Sequence, residues 1–334
     1  MASLLMLDVE GAFDNVSHPR LIHNLRKRRI PQQTTKWIES FLSDRSTTIK
    51  MPEGESPTCD IATGIPQGSP ISPYLFYNAD IADLCSNKGH LAPTFIDDVS
   101  VLVRGPTAQA DRETLKDLHA DIQRWAGTHA SQFGLEKYNL IHFWPQSRAV
   151  RKKPPGNDFS TSLDLNGHIV APRLSAKLLG VILDSRLDWK AHLQYIEAKA
   201  TSKLTGLSGC AGSAWGVPYE GLRNLYRAMI LPNLLYACSV WYTAQAKEYT
   251  VRGNKINQLL RKIQKKAACV ISGDFKNVGG ASLDIGCHLL SVREALEEAI
   301  AEAALRLQTC LSSPTARTST IPRTTRSYTM RRAI

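Results

Sequence analysis

The sequence has few cysteines and lacks any long apolar run. Its seven cysteines are odd in number and widely spaced, with no C-x-x-C pair, so neither a disulfide framework nor a structural zinc site is indicated. No run reaches the roughly 20 apolar residues of a transmembrane helix, and the apolar stretch at residues 2–7 is too short for a secretory signal. These absences predict an intracellular protein with reduced thiols and no membrane partner.

Acidic side chains are outnumbered by basic ones. The chain has 41 Lys and Arg residues against 30 Asp and Glu residues, which gives a formal net charge of +11 and a pI near 9.3. Such a surplus favours a polyanionic partner, and nucleic acid fits better than a membrane because no basic amphipathic segment is evident. A soluble basic protein without such a partner has the same composition, so charge alone leaves both alternatives open.

Two adjacent aspartates, Asp97 and Asp98, interrupt an apolar, β-branched run at residues 94–103 that otherwise predicts a strand. Neighbouring side chains on a straight strand point to opposite faces, so these carboxylates converge only if the backbone turns there, as at the tip of a hairpin. Like charges at such short range favour a cation between them, and a divalent metal with oxygen ligands is suitable. An ordinary turn is the alternative, because Asp is common in turns.

A third carboxylate, Asp8, ends the buried strand predicted at residues 3–9. Two strands that bring carboxylates to one edge of a sheet make a divalent-metal site. Two metals held there activate an attacking hydroxyl and stabilise the leaving oxygen in phosphoryl transfer. The residues alone therefore indicate metal-dependent phosphoryl transfer on a basic scaffold that binds a polyanion.

The hydrophobic pattern changes near residue 185. Before this point it predicts mixed strands and helices, and after it four segments with helical period follow, the second interrupted by Pro232. Further predicted elements are strands at residues 45–51, 58–63 and 135–144, a helix at 74–84, a hairpin through Asn166-Gly167, and one strand at 176–184 with a glycine in its middle. Residues 312–334 are basic and free of acids, which predicts a disordered tail.

Five segments resemble, in the right order, the motifs of reverse transcriptases. Residues 7–14 (LDVEGAFD) are similar to motif A, residues 64–70 (GIPQGSP) to motif B and residues 95–98 (FIDD) to motif C. Residues 133–138 with 141–143 are similar to motif D, and residues 178–184 (LLGVILD) to the motif E region of non-LTR (LINE-type) retrotransposons. One such motif is weak evidence, but five in series are specific. The helical part also resembles fungal elements of this class.

The resemblance implies an α+β fold: a polymerase palm, with an antiparallel sheet flanked by helices and with partial fingers, followed by an all-α thumb. It implies a palm with partial fingers at residues 1–185, a helical thumb and C-terminal region at 186–311, and the basic tail at 312–334. It further implies RNA-directed DNA synthesis, with an RNA template, a DNA primer and deoxynucleoside triphosphates (dNTPs) as partners. Nuclear localisation is expected for target-primed insertion, although no targeting signal is visible.

The resemblance also assigns metal and acid–base roles. Asp8, Asp97 and Asp98 would hold two Mg²⁺ ions, with Mn²⁺ as a substitute, and Asp8 and Asp97 would be the direct ligands. The primer 3′-hydroxyl would attack the α-phosphate, and pyrophosphate would leave. Lys137 would neutralise or protonate the pyrophosphate, with a plain surface lysine as the rival interpretation.

Other residues receive roles in binding the substrates. Phe13 would crowd a ribose 2′-hydroxyl and so select deoxynucleotides, unless it serves only core packing. Gln67 and Gly68 would line the nucleotide and template side. The Leu179-Gly180 turn would approach the primer backbone, and the basic faces of the thumb helices would follow the duplex through its phosphates.

The sequence also departs from the family pattern. It begins at motif A, so the fingers segment expected upstream, an endonuclease domain and a ribonuclease H domain would belong to the same longer polypeptide, and Asn139 replaces a common acidic residue of motif D. Three hypotheses follow: a reverse transcriptase fragment, a catalytically inactive relic that retains at most nucleic-acid binding, and, more weakly, a maturase-like RNA-binding protein. Little or no primer extension is expected from residues 1–334 alone.

Overall fold

The computed structural model describes residues 1–72, 79–129, 131–143, 161–212, 215–242 and 251–312. The chain divides into two compact units, Met1–Ala191 and His192–Ile334. The domain limits expected at residues 185 and 311 stay predictions. The predicted tail, apart from Ser312, and the first part of the helix predicted at residues 74–84 lie outside the described residues.

The elements of the first unit alternate between strands and helices. In chain order they are β1 (Ala2–Glu10), α1 (His18–Lys27), α2 (Gln32–Leu42), β2 (Ser46–Thr47), β3 (Lys50–Met51), β4 (Gly54–Glu55), β5 (Cys59–Asp60), α3 (Ala79–Asn87), β6 (Thr94–Phe95), β7 (Asp98–Arg104), α4 (Ala108–His129), β8 (Gln132–Phe133), β9 (Asn139–Phe143), β10 (Leu163–Leu165), β11 (His168–Val170), β12 (Ser175–Leu178) and β13 (Val181–Asp184).

Strand β1 is the middle of the main sheet. It pairs antiparallel with β7 on one side and with β9 and β8 on the other, and β7 pairs in turn with β6. Both faces of β1 are covered, which explains why residues 3–7 are buried without alternation. Leu5, Leu7 and Val9 pack in the core that contains the buried side of α4, whereas Leu4 and Met6 pack in a second core with the β12–β13 hairpin. The central strand therefore has a helix-covered face and a hairpin-covered face.

Several predicted elements are confirmed. Helices α1 and α2 form where apolar residues recur at helical spacing, and Pro19 at the start of α1 is tolerated because the first turn needs no donor there. The hairpin through Asn166-Gly167 forms with positive φ angles of 54° and 93°, as a two-residue turn of this composition requires. The α+β fold class is confirmed.

Four strand predictions, in three regions of the chain, were wrong in detail. The region of residues 45–63 forms four two-residue strands in place of two longer ones. The strand expected from residue 135 begins only at Asn139, because residues 135–137 form a 3₁₀ turn in which the Lys137 amide donates to the Gly134 carbonyl at 3.0 Å. The strand predicted at residues 176–184 is a hairpin, because Leu179 and Gly180 have φ angles of 45° and 83° and reverse the chain.

The remaining elements of the described chain are helical. They are α5 (Lys190–Gly209), α6 (Tyr219–Leu225), a π-helical turn (Tyr226–Ile230), α7 (Leu231–Leu235), α8 (Cys238–Trp241), α9 (Val251–Ser272), α10 (Gly280–Gly286) and α11 (Val292–Ser312). The predicted interruption at Pro232 is confirmed: the ring lacks an amide donor, and the π-helical turn ends just before it. No helix of the described chain is long and apolar enough to cross a membrane.

Candidate active site

Asp8 and Asp98 face each other across the β1–β7 ladder. They are the last register pair of this antiparallel ladder, after Leu7 and Val99. Leu7 and Val99 pack in the core that contains α4, so by the two-residue period of a strand Asp8 and Asp98 belong to the opposite face. Both carboxylates are half-buried. The sheet therefore delivers two carboxylates to the same end of the hairpin-covered face.

Asp97 lies in the two-residue turn that joins β6 to β7. Phe95 pairs with Asp98, which leaves Ile96 and Asp97 as the turn. Ile96 has a φ of 54°, a left-handed conformation that is unusual for a β-branched residue. The Val9 amide donates to the Asp97 carbonyl at 3.3 Å, which fixes the turn against β1. The hairpin expected around the two aspartates is confirmed, and backbone strain is stored beside the carboxylates.

The electrostatics of Asp98 follow from this crowding. Burial is the main cause that raises the pKa of the Asp98 carboxyl above its usual value, and the negative charges of Asp97 and Asp8 raise it further. Like charges therefore interact across the turn and the ladder, as expected for carboxylates that share a site. This cluster favours a positive partner.

Lys137 supplies one positive charge to the cluster. Its Nζ donates to Asp8 Oδ2 at 2.7 Å. The hydrogen bond and the charge of Asp8 raise the pKa of the exposed Lys137 ammonium. The Gly134 amide donates to the Asp8 carbonyl at 3.1 Å, so the 3₁₀ turn that carries Lys137 is fixed to the end of β1.

Three carboxylates form a donor set that suits a hard divalent cation. Carboxylate oxygens are the ligands that Mg²⁺ prefers. Over the described ranges, no group of three or more His, Cys, Asp or Glu side chains is gathered closely enough to hold a metal ion as it stands. The residue types nevertheless suit such an ion. The negative charges of Asp8 and Asp97 both raise the pKa of Asp98, and the Lys137 ammonium neutralises only part of the negative charge of the three carboxylates.

The loop at residues 63–67 docks on the turn that follows β1. The Ile65 amide donates to the Phe13 carbonyl at 2.7 Å, and the Gly64 amide donates to the Val16 carbonyl at 2.8 Å. Gly64 has a φ of 86°, and a Cβ there would lie 2.7 Å from the Asp14 carbonyl oxygen. Glycine is therefore required at this close approach of two backbones. Sequence reasoning assigned no role to Gly64 or Asp14, although both lie inside the quoted motifs.

The predicted binding residues near this junction differ in their surroundings. Gln67 is exposed, and its Nε2 donates to Asp14 Oδ1 at 3.1 Å. Gly68 is exposed with a φ of 87°, and nothing lies within 4 Å of a Cβ built on it. Phe13 is half-buried and packs against two apolar cores, so part of its ring serves packing.

The predicted primer contact is a turn on the same face of the sheet as Asp8. Leu179 is 46% exposed at the tip of the β12–β13 hairpin. Ala176 and Leu183 of this hairpin pack with Leu4 and Met6, which lie on the hairpin-covered face of β1. The structure thus brings the hairpin and the carboxylates to one face of the sheet.

Comparison with known proteins identifies the family. The description "Reverse transcriptase (RNA-dependent DNA polymerase)" matches residues 2–183, more than half of the chain. The chain belongs to the reverse transcriptase family. The match spans β1, the Asp97-Asp98 turn, Lys137 and the β12–β13 hairpin, so all the residues described above fall within the reverse transcriptase region.

The relatives that this chain resembles are named as polymerases of mobile elements. The chain is 28% identical over 275 residues to "RNA-directed DNA polymerase from mobile element jockey" of Drosophila melanogaster, covering 80% of the chain and 28% of that relative. It is 26% identical over 263 residues to "Probable RNA-directed DNA polymerase from transposon X-element" of the same fly, covering 77% and 28%. The chain thus spans less than a third of the length of either relative.

Similarity to solved structures is weaker. One match is an apo telomerase from Candida tropicalis, with 11% sequence identity and a TM-score of 0.40. The alignment covers 92% of this chain and 52% of the telomerase chain. This score is too low to carry an argument about either protein.

Proposed function

We propose that this chain provides the catalytic centre of the RNA-directed DNA polymerase of a LINE-type retrotransposon. The observation that carries the proposal is the register pair of Asp8 and Asp98, with Asp97 in the adjoining turn, within a region that belongs to the reverse transcriptase family. The reaction joins the 3′-hydroxyl of a primer to the α-phosphate of a dNTP and releases pyrophosphate, with RNA as the template.

Asp8, Asp97 and Asp98 would hold two Mg²⁺ ions, or Mn²⁺ in their place. When bound, such ions activate the attacking hydroxyl and stabilise the leaving oxygen. The carboxylates themselves orient the cations, and half-burial limits the number of waters that compete with substrate oxygens. Lys137 would leave Asp8 and interact with the pyrophosphate, a short movement for an exposed side chain with a flexible stem.

The loop at residues 63–67 would form one wall of the nucleotide and template site. Its docking on the turn after β1 fixes Gln67 beside Asp14, and Gly68 leaves open space where a substrate could approach the backbone. The Phe13 ring, held between two cores, would present its remaining edge to the sugar and disfavour a 2′-hydroxyl. Its packing makes the ring rigid, which suits steric selection.

The primer would lie over the hairpin-covered face, where the Leu179-Gly180 turn approaches its backbone. Both residues have positive φ angles, and Gly180 brings no side chain between the turn and a phosphate. The net charge of +11 supports binding of template and primer through their phosphates. Synthesis at a chromosomal target would place the polymerase in the nucleus.

Primer extension tests the proposal. An RNA template with a DNA primer is incubated with dNTPs, Mg²⁺ and protein. The protein is the longest polypeptide encoded by the open reading frame that contains this chain. We expect Asp97→Ala and Asp98→Ala to abolish extension, a loss of at least about 10³-fold. Asp117→Asn is the matched control, because Asp117 is an exposed aspartate on α4, and it should keep full activity. Undiminished extension by both alanine variants would refute the site, and an inactive wild-type polypeptide would favour the relic hypothesis.

A further inference from the structure

A groove in the helical unit is lined by none of the candidate active-site residues. It has a volume of about 360 Å³ and runs between the π-helical turn, α7 and the first half of α11. Its apolar lining consists of Leu231, Leu235, Leu289, Leu290, Ala295 and Ala299. A cavity of about 150 Å³ accommodates a benzene ring, so this groove has room for two large side chains.

The floor of the groove makes its polar contacts internally. Tyr226 is fully buried and its hydroxyl donates to Gln264 Oε1 at 2.8 Å. The Gln264 amide in turn donates to Asp284 Oδ1 and to the Leu290 carbonyl, both at 2.9 Å. The floor therefore contributes shape complementarity and apolar contact area to a bound segment. Charged groups at the rim must decide which segment binds.

The rim is acidic on the α11 side. Glu298 and Glu302 are exposed and lie four residues apart, about one helical turn. Glu302 pairs with Arg306, whereas Glu298 has no ion-pair partner in the described part of the chain. Arg227 also lines the groove, but its guanidinium donates to the His288 carbonyl at 2.6 Å. An occupant with cations on both sides of an apolar centre fits this rim.

The segment that follows α11 has this composition. Residues 313–334 contain arginines and no acids, and Tyr328 and Met330 lie between Arg326 and Arg331. The segment begins where α11 ends, and the distance back to Glu302 is about 15 Å at 1.5 Å per helical residue. About five extended residues cover that distance, so Tyr328 and Met330 are within reach. Tethering gives the segment a millimolar effective concentration at the groove.

We propose that residues 313–334 dock in this groove of their own chain, with Tyr328 and Met330 in the apolar cleft and Arg326 and Arg331 on Glu298 and Glu302. Docking holds Arg326 and Arg331 on the two glutamates of the rim, in exchange for Arg306 at Glu302, and so withholds these arginines from nucleic acid. The contact is an autoinhibitory device separate from the polymerase site. It does not depend on the proposed polymerase function.

Hydrogen–deuterium exchange on the full chain tests the docking. At 50 mM salt, we expect the amides of residues 320–334 to exchange about tenfold more slowly in the wild-type chain than in the double variant Glu298→Lys/Glu302→Lys. Glu297→Lys is the matched control, because Glu297 lies on α11, is exposed and does not line the groove. It should leave the protection unchanged. Unchanged exchange of α9 and α11 in all variants shows that the fold is intact.

A charge swap gives a second, independent arm. Arg326→Glu/Arg331→Glu should abolish the protection, and combining it with Glu298→Lys/Glu302→Lys should restore most of it, after correction for intrinsic exchange rates. Equal and fast exchange in every variant would overturn the proposal. If the double lysine variant keeps the protection, the segment docks elsewhere. If the protection rises with protein concentration and sedimentation shows dimers, the segment of a second copy occupies the groove. Both results would also overturn it.

Discussion

Gly64 and Gly68 allow the cost of a close backbone contact to be measured. Both have φ angles near 87°, but a Cβ on Gly64 would lie 2.7 Å from a backbone carbonyl, whereas a Cβ on Gly68 meets nothing within 4 Å. Gly68→Ala should lower the free energy of unfolding by about 1–2 kcal/mol, the cost of the left-handed conformation. Gly64→Ala should cost at least about 1 kcal/mol more. Urea unfolding measures both, and equal losses would mean that the loop yields to the added methyl group.

In the proposed metal site, Lys137 would compete with the cation for Asp8. Its ammonium donates to Asp8 Oδ2, so Lys137→Met should raise the affinity for Mn²⁺ about two- to fivefold. The change is modest because the Lys137 side chain is exposed to solvent, which weakens the ion pair. Electron paramagnetic resonance of free Mn²⁺ measures the affinity, with Lys116→Met on the exposed side of α4 as the control. Affinity that is unchanged or lower would show that the lysine does not compete with the cation.

Residue patterns could predict the carboxylates but not their partners. Asp8 and Asp97-Asp98 stand out because charged residues end or interrupt apolar strands. The pair between Lys137 and Asp8 joins residues 129 positions apart, and no local pattern indicates it. The need for glycine at position 64 likewise depends on a backbone that lies 50 positions earlier in the chain, Asp14.

A buried polar cluster links three elements of the first unit. Ser3 on β1 donates to Asp111 Oδ2 of α4 at 2.6 Å, and its oxygen lies 2.8 Å from His142 Nδ1 on β9. Since the single hydroxyl hydrogen goes to Asp111, His142 Nδ1 is assigned as a donor to the Ser3 oxygen. The cluster joins the helix to the central strand on the face opposite Asp8 and Asp98.

This cluster should make stability dependent on pH. Burial lowers the pKa of His142 below its ordinary value of 6.5. Below pH 6.5 the unfolded chain therefore binds a proton that the native chain does not bind, and the free energy of unfolding falls as the pH falls. One such histidine contributes a slope of at most about 1.4 kcal/mol per pH unit.

His142→Asn should reduce that slope, because the Asn amide keeps a donor for Ser3 but does not titrate. Urea unfolding followed by circular dichroism between pH 7.5 and 5.5 measures the slope. Part of the slope should remain, because burial also lowers the pKa values of His119, His129 and His192. His23→Asn on the exposed side of α1 is the control. The same slope in wild type and His142→Asn would contradict the assignment.

At the scale of elements, long periodic segments could be predicted and short turns could not. The apolar residues of β1, α1, α2 and α4 recur at strand or helix spacing, and these elements form. At Leu179-Gly180 the residue pattern predicted one continuous strand and only the family resemblance implied a turn, because leucine rarely adopts a positive φ and the flanking residues all suit one strand. Pairing of β12 with β13 and packing on β1 stabilise the turn against this preference.

For the whole molecule, the residue pattern predicted strands mixed with helices and then a change to helices, because each depends on many residues, whereas the α+β class was implied by the family resemblance. The chain divides at residues 191 and 192, close to the composition change near 185. The groove of the helical unit could not be predicted, because its lining comes from helices far apart in sequence. The proposed metal site likewise depends on tertiary folding, since Asp8 and Asp98 meet only through the β1–β7 ladder.

Mn²⁺ binding by the whole chain measures directly whether Asp8, Asp97 and Asp98 hold a divalent cation. Electron paramagnetic resonance counts free Mn²⁺ as the ion is added to the native wild-type chain, to Asp8→Asn, Asp97→Asn and Asp98→Asn, and to the control Asp117→Asn. We expect millimolar or tighter binding to wild type and control, and a loss of affinity of at least about tenfold for Asp8→Asn and Asp97→Asn. Equal Mn²⁺ binding by all five proteins would contradict the assignment of the three carboxylates as the metal site.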